Sequence, residues 1–119
     1  MSVKASVRHI GNVAVVDLSG RFTLGEGSGL VRNTIKGLVQ EGRRRILLNL
    51  ADVSYIDSAA LGELVGAFAT VTNAGGTIKL LNAQGRVSEI LTVTKLYTVF
   101  ESFTDETAAL RSFAGVVSA

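Results

Sequence analysis

Asp57 and Ser58, within the stretch YIDSAALGELV at residues 55–65, are the side chains with the clearest capacity for chemistry in this chain. They stand where an apolar strand gives way to a helix, on the carboxyl side of the strand, where sites collect in α/β sheets. An aspartate or serine at such a position caps free backbone N–H groups and contributes about 1 kcal/mol. A capping box would also need Glu or Gln at position 61, which is leucine. Ser58 is therefore either part of a helix cap or a hydroxyl with a function of its own.

The other groups that an enzyme needs are scarce. His9 is the one histidine, and it falls near the end of a predicted hairpin, where a structural role is the usual one. The chain has no cysteine, its carboxylates are not spaced as metal ligands, and Ser58 lies outside any GxSxG elbow. We therefore predict a protein that is not an enzyme, with no catalytic residue, no metal site and no cofactor.

Two further segments resemble ligand-binding motifs only in part. Residues 25–29 (GEGSG) are rich in glycine but lack the lysine and the spacing of a phosphate-binding loop, so we interpret them as a flexible lead-in to a helix. Residues 43–45 are three consecutive arginines, but the net charge is only +2, aromatic residues make up 6% of the chain, and none adjoins this cluster. Nucleic-acid surfaces combine a basic stripe with aromatic side chains. Nucleic acid is therefore not an expected partner.

The elements that must position Asp57 and Ser58 follow an α/β pattern. Strands are predicted at residues 3–9, 13–18, 45–50, 77–81 and 97–100. Helices are predicted within 24–40, beginning near Ser28, and at 59–72, 86–95 and 104–114. Gly11-Asn12 joins the first two strands as a hairpin, Gly20 closes the second, and residues 51–56 form a loop. We predict a small, mostly parallel sheet with an N-terminal antiparallel hairpin and helices packed on one side, as a single domain over residues 1–119.

The composition is that of a globular protein, with 47% hydrophobic and 18% charged residues. The apolar runs are much shorter than the roughly 18 to 20 residues of a membrane span. The N-terminal MSVKASVRHIG lacks the apolar core and the cleavage site of a signal peptide. We therefore expect a soluble cytoplasmic protein with no membrane partner.

Five short sequences occur in order along almost the whole chain. They are LSG at 18–20, ILLNL at 46–50, DVSYI at 52–56, DSAALG at 57–62 and NAGG at 73–76. As a set they resemble the STAS domains, and most closely the small single-domain anti-sigma factor antagonists of bacteria. The motif DSxxLG alone is a weak signal, whereas the ordered set is specific.

The resemblance implies a function and a role for Ser58. In that family the serine after the aspartate accepts a phosphate, and the matching residue here is Ser58. The resemblance implies that the unphosphorylated chain binds an anti-sigma factor with serine kinase activity and so frees the sigma factor. Phosphorylation of Ser58 by that kinase would end the association, and a phosphatase would restore it.

The partner-binding surface expected from the resemblance and from this helix entry comprises Thr23, Tyr55, Asp57, Ser58, Ala59, Ala60, Leu61 and Gly62. The small residues either leave the backbone accessible or serve helix packing, and Leu61 is either a contact or a core residue. Two positions depart from the family. Thr23 stands where an acidic residue is common, and Ala59-Ala60 replace the usual hydroxyl residue and glycine.

A second interpretation uses the same fold without the switch. The chain would then be a STAS scaffold subunit of a stress-signalling or transport-associated assembly, and Ser58 would be only a cap. The scaffold interpretation predicts that the assembly is stable whatever residue occupies position 58, and this distinguishes it from the switch. In either case we expect a monomer or a weak homodimer, the latter formed through the exposed strand of the hairpin.

Overall fold

The structure, a computed structural model, describes residues 3–23 and 29–117, with side chains through Phe113. Within these residues the strands are β1 (Lys4–Ile10), β2 (Val13–Phe22), β3 (Arg45–Ile56), β4 (Thr77–Leu81) and β5 (Ser102–Phe103). The helices are α1 (Leu30–Gln40), α2 (Ser58–Asn73), α3 (Gly85–Val93) and α4 (Glu106–Val117), with a 3-10 turn at Leu96–Thr98. The strands lie in the sheet in chain order; β1 is antiparallel to β2 and all later pairs are parallel. The predicted α/β class is confirmed.

The central strands β2, β3 and β4 have buried residues on both faces of the sheet, since successive strand residues point to opposite sides. Val16, Leu48 and Leu80 face a large core beneath α1, α2 and α3. Their neighbours in β2, β3 and β4 face a smaller core that Ala109 and Phe113 of α4 close. The prediction that the helices pack on one side therefore holds for three helices and is wrong for α4. The near-continuous apolar run of β3 gives the reason, since such strands are covered on both faces.

The strands β2 and β3 extend beyond their predicted ends. Gly20 does not close β2, and residues 51–56 are strand rather than loop, because Gly20 lies opposite Val53 and Phe22 opposite Ile56 in the same ladder. The register of the β2–β3 pair shifts between Asp17 and Ser19 and again between Gly20 and Arg21, and Gly20 has a φ of 92°, which glycine adopts without strain. The longer pair of strands carries the chain directly to Asp57.

Most other elements agree with the sequence pattern. The hairpin turn at Gly11-Asn12 and strand β4 are confirmed, and α2, α3 and α4 differ from their predicted limits by one to three residues at each end. The helix expected to begin near Ser28 begins at Leu30, and residues 24–28 lie outside the described residues.

The predicted strand at residues 97–100 is wrong. Lys95 has a φ of 61°, which ends the helical segment, and a 3-10 turn follows. The apolar signal came from Phe100, which is buried and packs edge-on against Phe68 with ring centroids 5.5 Å apart. The last strand is instead the two-residue β5 beside β4.

Candidate functional site

The candidate site lies at the carboxyl ends of β2 and β3, which finish side by side. Phe22 pairs with Ile56, and the Asp57 N–H donates to the Phe22 carbonyl at 3.3 Å. Thr23, half-buried, follows Phe22 directly. The structure thus brings Thr23 close to the start of α2, although 33 positions separate Thr23 from Ile56 in the sequence.

Asp57 caps α2. Its backbone is extended, with φ −105° and ψ 178°, and its Oδ1 accepts a hydrogen bond from the Ala60 N–H at 2.8 Å. Its carbonyl accepts from the Leu61 N–H at 3.0 Å, which begins the helical ladder. Of the two residues that the sequence offered as a cap, Asp57 has this role.

Ser58 is the first residue of α2, and its side chain is exposed. No residue in the described part of the chain makes a hydrogen bond with the Ser58 hydroxyl. The first turn of a helix presents backbone N–H groups that lack intrahelical acceptors, and this first turn contains no acidic residue. The hydroxyl is therefore accessible to another molecule, at a helix end whose dipole favours an anion.

The residues after Ser58 point in different directions. Ala60 is 1% exposed and belongs to the large core, so its side chain presents no surface to a partner. Leu61 is 9% exposed and serves both the core and the surface, whereas Ala59 is half-buried. Gly62 is exposed, and a Cβ added there would meet no atom of the described residues within 4 Å. The outward surface of the first turn of α2 is thus formed mainly by small residues and leaves the helix accessible to another molecule.

Tyr55 is held by a residue of the neighbouring strand. The Arg21 guanidinium lies 4.7 Å from the centroid of the Tyr55 ring, and the two residues are partners in the β2–β3 ladder. A cation over an aromatic face contributes about 0.5–1 kcal/mol at an exposed site. This contact favours the observed position of the half-buried ring.

An open groove of about 580 Å³ separates the start of α2 from α3. It is lined by Tyr55, Ile56, Asp57, Ser58, Leu61, Arg86, Glu89, Ile90, Val93 and Thr94. Val93 is 82% exposed, an unusual value for a large apolar side chain on a helix. The groove therefore combines an apolar wall with charged groups at its rim.

Sequence reasoning missed the α3 side of this groove. Arg86, Glu89, Ile90 and Val93 recur at spacings of three, four and seven residues, which is the period of one helix face. The buried face of α3 is formed by Val87 and Leu91 instead. Ile90 itself packs partly against the large core, so the exposed Val93 was only a weak local signal of a surface contact.

The other motifs considered from sequence contribute nothing to this site. His9 pairs with Ala14 at the amino end of β2, the opposite end of the sheet from Ser58. The glycines at 25 and 27 lie outside the described residues, and the Gly29 N–H donates to Glu63 Oε2 at 3.3 Å. Within residues 3–23 and 29–117 no group of three or more His, Cys, Asp or Glu side chains could hold a metal ion. No helix in the same ranges has the length and apolarity to cross a membrane.

The fold and the site together define a STAS domain. The model of the STAS domain family matches residues 4–109, and the chain belongs to that family. Among curated proteins, an anti-sigma-B factor antagonist of Bacillus subtilis is 29% identical over 101 residues, which cover 85% of this chain and 91% of the relative.

Solved structures show the same fold. The anti-sigma factor antagonist SpoIIAA in its unphosphorylated form has a TM-score of 0.71 and 20% identity, covering 94% of this chain and 99% of that chain. The Bacillus cell fate determinant SpoIIAA in its phosphorylated form also has a TM-score of 0.71 and 20% identity, covering 92% and 99%. At this identity the likeness establishes the fold alone.

Proposed function

We propose that this chain is an anti-sigma factor antagonist switched by phosphorylation of Ser58. Its unphosphorylated form binds an anti-sigma factor that is also a serine kinase, and the sigma factor is released. The observation that carries the proposal is the exposed Ser58 hydroxyl, bonded to none of the described residues, at the first position of α2 beside an open groove. Family membership and the anti-sigma factor antagonists among its relatives support it.

The chain supplies only the nucleophile for this reaction. The Ser58 oxygen attacks the γ-phosphorus of an ATP molecule held by the partner kinase, and the bond between that phosphorus and the departing ADP breaks. The hydroxyl proton passes to a base of the kinase. A phosphatase reverses the modification: water attacks the phosphorus, the bond between the phosphorus and the Ser58 oxygen breaks, that oxygen takes a proton, and inorganic phosphate is released. The chain itself acts as a binding protein and substrate, without a catalytic role.

The fold tolerates a charge at Ser58 that an interface would not. A phosphate adds about −1.5 to −2 charges. At the first position of α2 this charge interacts favourably with the free N–H groups, an effect of about 0.3–1 kcal/mol for an ordinary anion. Beneath a partner the same charge must lose its water and lie beside the Asp57 carboxylate, which is unfavourable. Phosphorylation therefore ends binding without unfolding the domain.

The surface that we propose for the partner surrounds Ser58 at the carboxyl edge of the sheet. Asp57, Ala59, Leu61 and Gly62 form its α2 side, and Thr23 and Tyr55 form its strand side. Ala60 contributes through its backbone N–H and through packing, because its side chain is buried. Thr23 provides a hydroxyl where relatives commonly have a carboxylate, so the partner needs no cation at this point.

The test is co-purification of tagged wild type, Ser58→Ala and Ser58→Asp from the native cells. Wild type and Ser58→Ala are expected to retain an ATP-binding, kinase-like protein, and Ser58→Asp is expected to lose it. Thr107→Asp is the matched control, because it places the same charge in the first turn of α4, on the opposite face of the sheet. It is expected to retain the partner.

Retention of the same partners by all four proteins would contradict the switch. The chain would then be a non-switching scaffold subunit of a stress-signalling or transport-associated assembly. Loss of the partner in Thr107→Asp as well would show a general effect of charge rather than a site at Ser58. Incubation of the purified pair with ATP, followed by mass spectrometry of the chain, checks that the phosphate is on Ser58.

A further inference from the structure

Arg86 faces the same groove as Ser58 and has no evident structural task. It is the second residue of α3, its side chain is exposed, and both residues line the groove. Within the described parts of the chain its guanidinium makes no hydrogen bond and no ion pair. A cation in the first turn of a helix gains nothing from the helix dipole, which favours anions there. Helix stability therefore does not explain its position.

The charges around Arg86 leave it available for an anion. Two carboxylates line the groove, those of Asp57 and Glu89. Asp57 is engaged in capping α2 through the Ala60 N–H. Glu89 lies one helical turn after Arg86 but forms no ion pair with it within 4.0 Å in the described structure. The amino-terminal turns of both α2 and α3 lack acidic residues. A dianion on Ser58 would lie at the positive end of α2 and would share the groove with the Asp57 and Glu89 carboxylates and with a guanidinium that pairs with none of the described residues.

We propose that Arg86 is the intramolecular receptor of the phosphate on Ser58. Its planar fork of N–H donors matches phosphoryl oxygens and pairs with two of them at once. The groove volume falls within the range of about 300–1,000 Å³ that holds small organic ligands, which is ample for a phosphoryl group and a guanidinium together. This inference rests on the proposed function in one respect, namely that Ser58 is the residue that carries phosphate.

The contact adds a second component to the switch. When Arg86 reaches the phosphate, its side chain lies across the groove and covers the apolar wall formed by Leu61, Ile90 and Val93. A partner that uses this wall then loses both the neutral serine and the apolar surface. Phosphorylation thus changes the shape of the groove as well as its charge.

The experiment measures the phosphate directly and does not need the cognate kinase. Phosphoserine is installed at position 58 during translation, and the second pKa of its phosphate is followed by ³¹P NMR between pH 4 and 9. In Arg86→Gln this pKa is expected to rise relative to the protein with Arg86, by about half a pH unit or more. Arg111→Gln removes an exposed arginine of α4 on the other face of the sheet and is expected to leave the pKa unchanged.

A second variant separates charge from geometry. Arg86→Lys keeps the positive charge but not the fork, so its phosphate pKa is expected to lie between those of the protein with Arg86 and Arg86→Gln. Thermal unfolding of each variant verifies that the fold is retained. Equal phosphate pKa values with arginine and glutamine at position 86 would overturn the inference and leave the proposed function intact. Failure of Ser58→Asp to release a partner would overturn the proposed function, while the titration would still decide the role of Arg86.

Discussion

The carboxylate of Asp57 accepts a hydrogen bond from the backbone of α2, whereas the neighbouring Ser58 hydroxyl is exposed. A cap must stay in one geometry against the N–H groups, and a nucleophile must stay accessible. Because the two tasks fall on adjacent residues, the chemical state of Ser58 can change while the helix keeps its cap. A phosphate at the first helical position would add to the interactions of this helix end rather than replace them.

The division of roles gives a prediction for stability. Asp57→Ala is expected to lower the free energy of unfolding by about 1 kcal/mol, since the Ala60 N–H loses its acceptor, whereas Asp57→Asn retains an acceptor and loses less. Ser58→Ala is expected to change it by less than about 0.5 kcal/mol. Urea denaturation at neutral pH, followed by circular dichroism, measures all three. Equal losses in Asp57→Ala and Ser58→Ala would contradict the assignment of the cap to Asp57.

At the scale of elements, the sequence predicts what depends on local pattern. The period of apolar residues predicted α2 and β4 closely, and the valine-rich stretch with Gly11-Asn12 predicted the hairpin. The extension of β3 through Ile56 depends on pairing with β2, more than thirty residues away in sequence, which no local pattern reports. The α3 side of the groove was missed for the same kind of reason. Arg86 and Val93 reach the site through packing of α3 against the sheet, whereas Ser58 was identified by motif and resemblance.

Substitutions on the exposed face of α2 can distinguish an effect on partner binding from an effect on the free energy of unfolding. Gly62→Ala and Gly66→Ala both place a methyl group on the helix surface, where no atom from residues 3–23 or 29–113 outside the neighbouring helix backbone lies within 4 Å. Each is expected to raise the free energy of unfolding by about 0.5–1 kcal/mol, because alanine loses less backbone entropy in a helix. Only Gly62 lies in the proposed partner surface, so Gly62→Ala is expected to weaken partner binding and Gly66→Ala to leave it unchanged.

Isothermal titration with the purified partner, beside urea denaturation of each variant, measures both quantities. The two glycines are one helical turn apart and receive the same substitution, so the two variants differ mainly in the position of the added methyl group on α2. Weaker binding in Gly66→Ala, or unchanged binding in Gly62→Ala, would mean that the partner contacts α2 elsewhere than proposed.

At the scale of the whole molecule, one cluster of charged and polar side chains connects β1, β2 and β3 to α4. Arg8 of β1 donates to both oxygens of Asp17 on β2, at 2.6 and 2.9 Å, and to both oxygens of Glu106 on α4, at 2.8 and 3.3 Å. The Asn49 side chain of β3 donates to Asp17 at 2.8 Å. The cluster thus links three strands to the start of α4, on the face away from the groove. Changes in α4 and changes at Ser58 can therefore be examined independently.

This cluster predicts how stability depends on pH. The hydrogen bonds from Arg8, and secondarily from Asn49, hold the pKa of Asp17 below its usual value of 3.8, although partial burial acts in the opposite direction. The unfolded chain therefore binds a proton at Asp17 more readily than the folded chain. The stabilisation is fully present above the unfolded pKa and is lost as pH falls through the folded pKa. Asp17→Asn is expected to be less stable at pH 7 and to show a flatter decline below pH 4.

Urea denaturation at a series of pH values from 7 to 2 compares the slopes. Asp52→Asn, which removes an exposed carboxylate of β3 outside the cluster, is the matched control and is expected to keep the wild-type slope. A wild-type slope in Asp17→Asn would mean that Arg8 does not hold the charged form of Asp17 in solution. In Glu106→Gln, Arg8 and Asn49 still bind Asp17, so the contribution of Asp17 to the slope is expected to remain.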